Sequence, residues 1–301
     1  MTAGDKLDVV LTGGRGLIGG ALSGLLEAEG HRVRHVTRNP REDGDIGWDP
    51  RAGELNAGDL EGADAVVHLA GESVAQRWND GAKERILRSR VDGTTLLAEA
   101  LASLKRKPKV LLSASAVGYY GDGGDGVLDE ASPRGEGFLA EVCEAWEASA
   151  EPARAAGIRV VYPRFGIVLS ADGGALSKML TPFKMGVGGR IGSGEQYMSW
   201  VHIDDVARSL AAAIHGDHEG PLNLVSPNPV TNAEFTKALG QALRRPTFMP
   251  LPRFAAKLAM GPEMADEMLL VSQRVQPTGL EKSGFEFSFN DVGAALQDLV
   301  S

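Results

Sequence analysis

A glycine-rich turn near the N-terminus constrains the fold of this chain more than any other feature. Residues 12–19 read TGGRGLIG, directly after the apolar run 7–12 and directly before leucines at helical spacing. A strand, such a turn and a helix form the unit that binds the pyrophosphate of a dinucleotide, because the helix directs free N–H groups at the phosphate. The alternative is a tight turn without a ligand. The predicted cofactor-binding residues of this turn are Gly13, Arg15, Gly16, Leu17, Ile18 and Gly19.

Apolar runs alternate with amphipathic stretches through the first half of the chain, which is typical of a parallel sheet covered by helices. The predicted strands are 7–12, 33–37, 65–70, 110–113 and 158–162, and the predicted helices include 82–104 and 139–156. We therefore predict an α/β fold, with a doubly wound parallel-sheet domain over residues 1–165 and a return segment near 200–226. Residues 166–301 are expected to form a smaller C-terminal substrate lobe.

Proline and glycine punctuate that second half, which is consequently expected to be rich in loops. Residues 186–194 contain five glycines and are interpreted as a mobile wall over the substrate cleft. A helix is predicted over 253–272 and an extended segment over 285–289. Asn290 is predicted to cap the last helix.

Composition and charge exclude several classes of protein. Hydrophobic residues make up 43% and charged residues 24% of the chain, which rules out disorder. The net charge is -9 and no basic block is present, so nucleic acid is not an expected partner. The single cysteine, Cys143, cannot form an internal disulfide, and no apolar run is long enough for a signal or a membrane span. A cytoplasmic location without membrane contact is expected.

The end of the second predicted strand indicates which dinucleotide is bound. Proteins that bind NAD usually carry an acidic residue there, which binds the ribose 2′-hydroxyl. This chain has Thr37 and Arg38, with no acidic residue before Glu42. A guanidinium matches a 2′-phosphate bidentately, so NADP is the predicted cofactor, with Arg15 or Arg41 as a possible helper. A solvated surface role for Arg38 is the alternative.

Beyond the glycine turn, four segments extend a family resemblance over nearly the whole chain: 64–71, 89–94, 112–116 and 201–206. Together they resemble the extended short-chain dehydrogenase/reductase superfamily of sugar-nucleotide epimerases and dehydratases. Smaller marks resemble its atypical branch, whose members are known only as epimerase family proteins; these include 71–72, 77–78, 118–121, 138–143 and 192–196. Residues 273–277 and 284–285 are similar to the domain of unknown function that ends that branch.

The resemblance implies an NADP-binding Rossmann domain and assigns several residues to it. Leu69, Ala70 and Gly71 are expected on the adenosine side, and Pro163, after the fifth strand, near the nicotinamide. Glu72 could contact ribose or substrate, or cap the next segment. Arg90 stands where the superfamily commonly has asparagine, and its charge could reach a cofactor phosphate or a substrate carboxylate.

The catalytic residues of the superfamily are only partly present. Its enzymes pair a serine or threonine with Tyr-x-x-x-Lys, in which the lysine lowers the phenol pKa for proton exchange during hydride transfer. The tyrosine and lysine positions are Phe138 and Val142 here, and neither carries a proton to exchange. Ser115 matches the serine, with Ser113 as an alternative. The predicted catalytic residues are Ser115, Tyr119 and Tyr120, since either tyrosine could replace the lost phenol.

The remaining candidates have simpler interpretations. His68 is expected to be a core histidine and Cys143 a buried small hydrophobe. Asp204 or Asp205 is predicted to cap a helix that extends through Leu210. His215 and His218 have a possible ligand spacing but no third partner, so no metal is predicted.

Two functional hypotheses follow. The first is an NADP(H)-dependent oxidoreductase or epimerase-like enzyme that acts on an unidentified small carbonyl or sugar-derived substrate. The second is a non-catalytic NADP(H)-binding regulatory protein. A homodimer is a possible assembly.

Overall fold

The computed structural model describes residues 6–42 and 44–301. Within them the strands are, in chain order, β1 Asp8–Thr12, β2 Arg32–Thr37, β3 Ile46–Asp49, β4 Glu54–Leu55, β5 Ala65–His68, β6 Val110–Ser113, β7 Ser115–Ala116, β8 Val127–Leu128, β9 Arg159–Phe165, β10 Ile167–Leu169, β11 Tyr197–Met198, β12 Trp200–His202, β13 Gly220–Leu224, β14 Val230–Thr231 and β15 Arg274–Val275.

The helices alternate with these strands through the first half of the chain. They are α1 Leu17–Ala28, α2 Asp80–Ser103, α3 Phe138–Ala148, α4 Glu151–Ala155, α5 Gly174–Lys184, α6 Ile203–His215, α7 Asn232–Leu243, α8 Arg253–Met260, α9 Pro262–Met268, α10 Thr278–Lys282 and α11 Val292–Val300. Short 3-10 turns cover Ala57–Leu60 and Val117–Tyr120.

One large sheet organises the molecule, in the order β13-β9-β6-β5-β1-β2-β3-β4, with β7 also pairing β9. Every pair along it is parallel except β3 with β4. The order reverses beside β1, and in such sheets ligands bind at this switch point, outside the carboxyl ends of the strands. The predicted α/β class with a doubly wound parallel sheet is confirmed.

Apolar residues cover both faces of this sheet. On one face, α1 and α6 pack over β1, β5 and β6, with Leu22, Leu26 and Leu210 fully buried. On the other face, α2 and α4 pack over the same strands, with Leu97 and Leu101 fully buried. A separate cluster around Trp200 and Phe235 joins α5, α7 and α11.

Two predicted helices are each divided in two. The helix predicted over 139–156 is broken between α3 and α4, where Pro152 lies in the first turn of the second segment because it cannot continue the hydrogen bonding of the first. The helix predicted over 253–272 is broken at Gly261, whose φ of 93° favours glycine, and Pro262 starts α9. Residues 269–272 lie outside any helix.

The sequence prediction missed the β3–β4 edge of the sheet. Strand β3 adds two partners to β2, Val36 with Ile46 and Thr37 with Gly47. The alternation of the apolar residues Ile46 and Trp48 was the available signal in the sequence. A strand of four residues has only two such positions, which is too few to establish a period of two.

The predicted helix caps were wrong in both places. His202 caps α6, since its Nδ1 accepts the N–H of Asp204 at 3.1 Å, whereas Asp205 is buried. The carboxylate of Asp205 instead accepts the N–H groups of Ser288 and Phe289, which fixes the extended 285–289 segment without a strand partner among the described residues. The last helix is capped by Asp291, one residue after the predicted Asn290.

Candidate functional site

A cleft of about 560 Å³ lies at the switch point of the sheet. It is lined by Gly13, Gly16, Val36, Thr37, Arg38, Trp48, Pro50, Arg51, Leu69, Ala70, Gly71, Glu72 and Ser89. Eight of these residues were predicted from the sequence as cofactor-binding. The strand ends of β1, β2 and β5 therefore meet around one cavity, as the parallel order of the sheet requires.

The glycine turn leaves this cleft open. Gly13 has a φ of 68°, and a side chain there would meet the backbone of Leu69 and Ala70 at about 3.0 Å. A Cβ on Gly19 would lie 2.3 Å from the carbonyl oxygen of Gly13, so glycine lets α1 pack against the turn. Gly16 caps α1 without a side-chain hydrogen bond, which leaves N–H groups of the first turn to bind an anion. This cradle fits a pyrophosphate.

Leu17, Ile18 and Gly19 form the first turn of α1 and do not line the cleft with their side chains. Ile18 packs against the core, and Leu17 contacts the turn at Gly173. Any contact of these three residues with a phosphate therefore comes from the backbone.

Arg15 and Arg38 differ in what they already bind. The Arg15 guanidinium lies 2.8 Å from Asp45 and 3.4 Å from Glu42, so it braces the loop after β2. Hydrogen bonding from the Arg41 backbone and from Arg15 lowers the pKa of Asp45 to about 2. Arg38 lines the cleft and pairs with no described residue. Arg38 is the cation available to a ligand, whereas Arg15 is held by carboxylates.

A buried hydrogen-bond chain supports the floor of the cleft. Thr12 Oγ1 accepts the N–H groups of Leu69 and Ala70 at 3.1 and 3.2 Å and lies 2.6 Å from Nδ1 of His68. Burial lowers the pKa of His68 to about 4, so the ring is neutral near pH 7. The expectation of a core histidine for His68 is confirmed, and its role is to position the strand ends.

Glu72 lines the cleft, and its carboxylate bonds Gln76 and Arg85 at 3.1 and 3.0 Å. These hydrogen bonds lower the pKa of Glu72, which keeps it ionised. Its backbone N–H bonds Ser89 Oγ at 3.0 Å. Glu72 thus ties the loop after β5 to α2.

A second cavity, of about 300 Å³, opens beyond the carboxyl ends of β7 and β9 and is mainly apolar. Its walls come from the turn after β7, from α3 and from the C-terminal lobe. They include Ala116, Val117, Gly118, Leu139, Val142, Cys143, Trp146, Phe165, Met179, Met198, Met268 and Leu269. Arg90 is the only arginine or lysine among the described residues that line it.

The three hydroxyls expected to be catalytic do not meet in this cavity. Ser115 Oγ donates to Glu147 at 2.7 Å, and Glu147 forms a bidentate pair with Arg164. Tyr120 donates to Asn223 at 2.7 Å and accepts from Arg164 at 3.0 Å.

The Arg164 guanidinium stacks on Tyr119, with its central carbon 3.5 Å from the centroid of the Tyr119 ring. Burial raises the pKa of Tyr120 to about 12. The geometry therefore places Ser115 and Tyr120 in a buried network, and none of the three residues lines the cavity.

Pro163 lies inside β9 and not after it, because the strand extends to Phe165. It lies opposite the break between β6 and β7, where its missing N–H removes no hydrogen bond to either of these strands. Phe165, Gly166 and Ile167 line the cavity in its place. The expectation that Pro163 follows the strand was wrong.

One carboxylate of the C-terminal lobe caps α3. Glu267, on α9, accepts the N–H groups of Phe138 and Leu139 at 3.0 and 2.8 Å. Glycine at 137, with a φ of 105°, leaves room for it. Glu263, on the same helix, pairs with Lys83 of α2. The lobe therefore holds the helix that lines the second cavity.

His215 has different neighbours from those predicted. His218 bonds the carbonyl of Pro221 at 2.8 Å, while His215 lies beside His31 and Glu29, with ligating atoms within 4.8 Å of one another. Nδ1 of His31 accepts the N–H of Leu7, which leaves the proton of the neutral ring on Nε2. That ring nitrogen is a donor, so we assign no metal to the cluster.

The model of the NAD dependent epimerase/dehydratase family matches residues 9–224. The chain belongs to this family. The model of DUF1731, a domain of unknown function, matches residues 251–299.

Relatives match along the full length of this epimerase/dehydratase-family chain. An epimerase family protein of Mycobacterium leprae is 45% identical over 297 residues, which cover 98% of this chain and 96% of that protein. The epimerase family protein SDR39U1 of Homo sapiens is 41% identical over 299 residues, covering 97% and 99%. A crystal structure of human SDR39U1 (isoform2) with NADPH has a TM-score of 0.90 at 38% identity, covering 98% of this chain and 99% of that one.

Phe138 and Val142, which were predicted to occupy the positions of the superfamily's tyrosine and lysine, are packing residues in the structure. Phe138 packs edge-on against Trp78 at 5.0 Å and under Lys83 at 4.8 Å. Val142 is buried and lines the apolar cavity. Burial raises the pKa of the neighbouring Cys143 thiol to about 11, which fits the buried small residue expected there.

Sequence reasoning missed five lining residues of the first cleft: Val36, Trp48, Pro50, Arg51 and Ser89. Ser89 lay in a recognised segment, so it could have been included. Trp48, Pro50 and Arg51 belong to the edge that was not predicted as strand. None of the helices in the described part of this epimerase/dehydratase-family chain is long and apolar enough to cross a membrane.

Proposed function

We propose that this chain is an NADP(H)-dependent oxidoreductase for a small carbonyl compound with an apolar body. The observation that carries the proposal is the pairing of a glycine-lined cleft with an apolar cavity at the same edge of one sheet. A site that held the nucleotide only for structural reasons would not require the second cavity.

Arg38 and Thr37 favour NADP(H) over NAD(H). Both line the cleft at the end of β2, and a free guanidinium suits a 2′-phosphate. Human SDR39U1, similar over the whole chain, was crystallised with NADPH. When bound, NADPH would supply a hydride to the substrate carbonyl. The residues assigned to holding it are the glycine turn, Thr37, Arg38 and the loop Leu69–Glu72.

The apolar cavity favours a small carbonyl over a nucleotide sugar. A diphosphate needs several cations, and Arg90 is the single arginine or lysine on the described walls. Exclusion of water from such a cavity strengthens the electrostatic interactions that support hydride transfer.

Cofactor preference is the first test. We expect wild-type protein to bind NADPH about ten- to hundredfold more tightly than NADH, as one charge-assisted bidentate contact contributes roughly 1.5–3 kcal/mol. Arg38→Asp should abolish or invert this preference. Arg32→Asp makes the same charge change at the exposed, opposite end of β2 and should preserve it. Equal affinity of the wild-type protein for both cofactors, measured by fluorescence titration, would contradict the proposal.

The regulatory alternative is favoured by Phe138 and Val142, which replace the proton-transferring pair, and by the engagement of Ser115 and Tyr120 in a buried network. Turnover separates the two functions. An enzyme should consume NADPH with a small apolar carbonyl, and Ser115→Ala, Tyr119→Phe or Tyr120→Phe should reveal which hydroxyl contributes to that rate without changing NADPH affinity. A regulator should bind NADPH without turnover, and its cellular phenotype should follow Gly16 and Arg38 variants alone.

A further inference from the structure

Arg90 is a half-buried cation without a counter-ion in the described protein. It lies on α2, and its Nη1 donates to the carbonyl oxygens of Glu72 and Ile86, both at 3.0 Å. Its guanidinium lies 4.8 Å from the Trp146 ring centroid. The nearby Glu72 directs its carboxylate to Arg85 instead. No carboxylate within residues 6–42 and 44–301 lies within 4.0 Å of the Arg90 guanidinium.

A half-buried charge without a counter-ion still carries a desolvation cost, which carbonyl oxygens and an aromatic face compensate only in part. The Trp146 ring and the two carbonyl bonds fix the plane of the guanidinium. Its Nε and Nη2 bond no described residue, and these two nitrogens form one edge of the fork that holds a carboxylate bidentately. The protein therefore orients a fork and leaves its binding edge without a partner.

The position of Arg90 distinguishes the two anions that could fill that edge. Ser89, its neighbour, lines the nucleotide cleft, while Arg90 itself lines the apolar cavity. The cavity of about 300 Å³ is at the lower end of the range for small-molecule sites. Its other walls are mainly apolar, and the Glu267 carboxylate on them already accepts two backbone N–H groups. The ligand that fits therefore combines one anionic group with a compact apolar body.

We infer that Arg90 anchors the carboxylate of a small apolar oxo acid in this cavity. The inference deepens the proposed function and depends on it for the redox step only. In that step NADPH would supply a hydride to the carbon of the oxo group and water would supply a proton to the oxo oxygen, so that a hydroxy acid forms and NADPH becomes NADP⁺. The anion site itself requires no turnover.

The test is calorimetric titration of protein loaded with NADP⁺, which cannot reduce the probes, with two matched pairs of probes. Phenylpyruvate is compared with phenylacetone and benzoylformate with acetophenone, since each ketone replaces the carboxylate with a methyl group. We expect both acids to bind saturably and at least tenfold more tightly than their ketones. Arg90→Gln should weaken the acids at least tenfold and change ketone binding less than twofold.

Matched variants exclude trivial explanations. Arg88→Gln removes an exposed arginine from the same helix and should leave acid affinity unchanged. Arg90→Lys keeps the charge but loses the fork, so it should restore only part of the affinity. Thermal unfolding midpoints show whether each variant is folded, and Arg90→Lys keeps the test valid if Arg90→Gln does not fold.

Three outcomes would overturn the inference: acids that bind no more tightly than ketones, acids that do not bind, and an Arg90→Gln variant that loses NADPH affinity by the same factor as acid affinity. The last outcome would assign Arg90 to a cofactor phosphate. Failure of the wild-type protein to bind NADPH would instead overturn the proposed function, and titration without cofactor would still test the acid site.

Discussion

The nucleotide cleft and the apolar cavity lie at the same sheet edge but are built in different ways. The cleft is made by three strand ends and the turns that follow them, and glycine allows the backbone itself to form its floor. The cavity is made by side chains from segments that are far apart along the chain, between Val74 and Gln273. Backbone geometry therefore determines the first site, and side-chain packing between distant segments determines the second.

This difference determines what each site tolerates. A backbone site is sensitive to added atoms wherever its turns approach each other closely. A packed apolar site is sensitive to added charge, because its mainly apolar walls offer a charge few partners. Substitutions that add atoms to the cleft or charge to the cavity therefore test whether the two sites differ in this way.

The largest expected effect is that of a charge in the cavity. Val142 is 2% exposed on α3, and Val142→Lys places an ammonium among mainly apolar walls. The one carboxylate among the described lining residues, that of Glu267, already accepts two backbone N–H groups. We expect the free energy of unfolding to fall by about 3–5 kcal/mol, measured by urea denaturation. Glu141→Lys, exposed on the same helix, should cost less than about 1 kcal/mol. A similarly small loss for Val142→Lys would show that the cavity accepts a cation where the superfamily places its lysine.

The next effect concerns pH and the floor of the cleft. His68 has a pKa of about 4 in the folded protein against 6.5 ordinarily, so the unfolded chain takes up a proton first as pH falls. The free energy of unfolding should fall between pH 6.5 and pH 4 by roughly 3 kcal/mol.

His215, whose pKa is also lowered by burial, contributes in the same direction. The free energy of unfolding should depend less steeply on pH in His68→Gln than in His215→Gln. Equal slopes in both variants would show that His68 contributes no more than His215 to the pH dependence of the free energy of unfolding.

The smallest effect tests the glycine cradle. Gly19→Ala places a Cβ 2.3 Å from the Gly13 oxygen, and we expect a loss of about 1–3 kcal/mol in stability with weakened NADPH binding. Gly20→Ala is the matched control, since nothing lies within 4 Å of its Cβ, and alanine should stabilise α1 by up to about 1 kcal/mol. If both variants bind NADPH equally well, the close packing of the turn does not matter to the cofactor.

The contrast also explains how much could be predicted from sequence. Glycines at 13 and 16, Thr37, Arg38 and residues 69–72 were predicted and line one cleft, because strand order alone brings strand ends together. The partners of Arg90 and Arg15 and the position of Pro163 within its strand were not predicted. Their environments depend on Trp146, on Asp45 and on the length of β9, which local patterns do not encode.

The same limit applies to the hydroxyls. Ser115 and Tyr120 follow a strand end, which is a sound reason to expect them near a ligand. Glu147 and Arg164 lie 32 and 44 residues away from them along the chain, respectively, and capture both hydroxyls. No short pattern in the sequence indicates these hydrogen bonds.

Glu267 also bears on how this protein can be divided. It lies in the segment matched by DUF1731, yet it supplies the N-terminal cap of a helix in the segment matched by the epimerase/dehydratase model. Gln273 likewise bonds the carbonyls of Val117 and Gly121, and β15 pairs with β8. The two matched segments are thus joined by hydrogen bonds and by a strand pair, and a fragment ending at residue 224 would lose the cap of α3 together with a wall of the cavity. Exchange of the C-terminal segment between relatives would have to preserve that carboxylate.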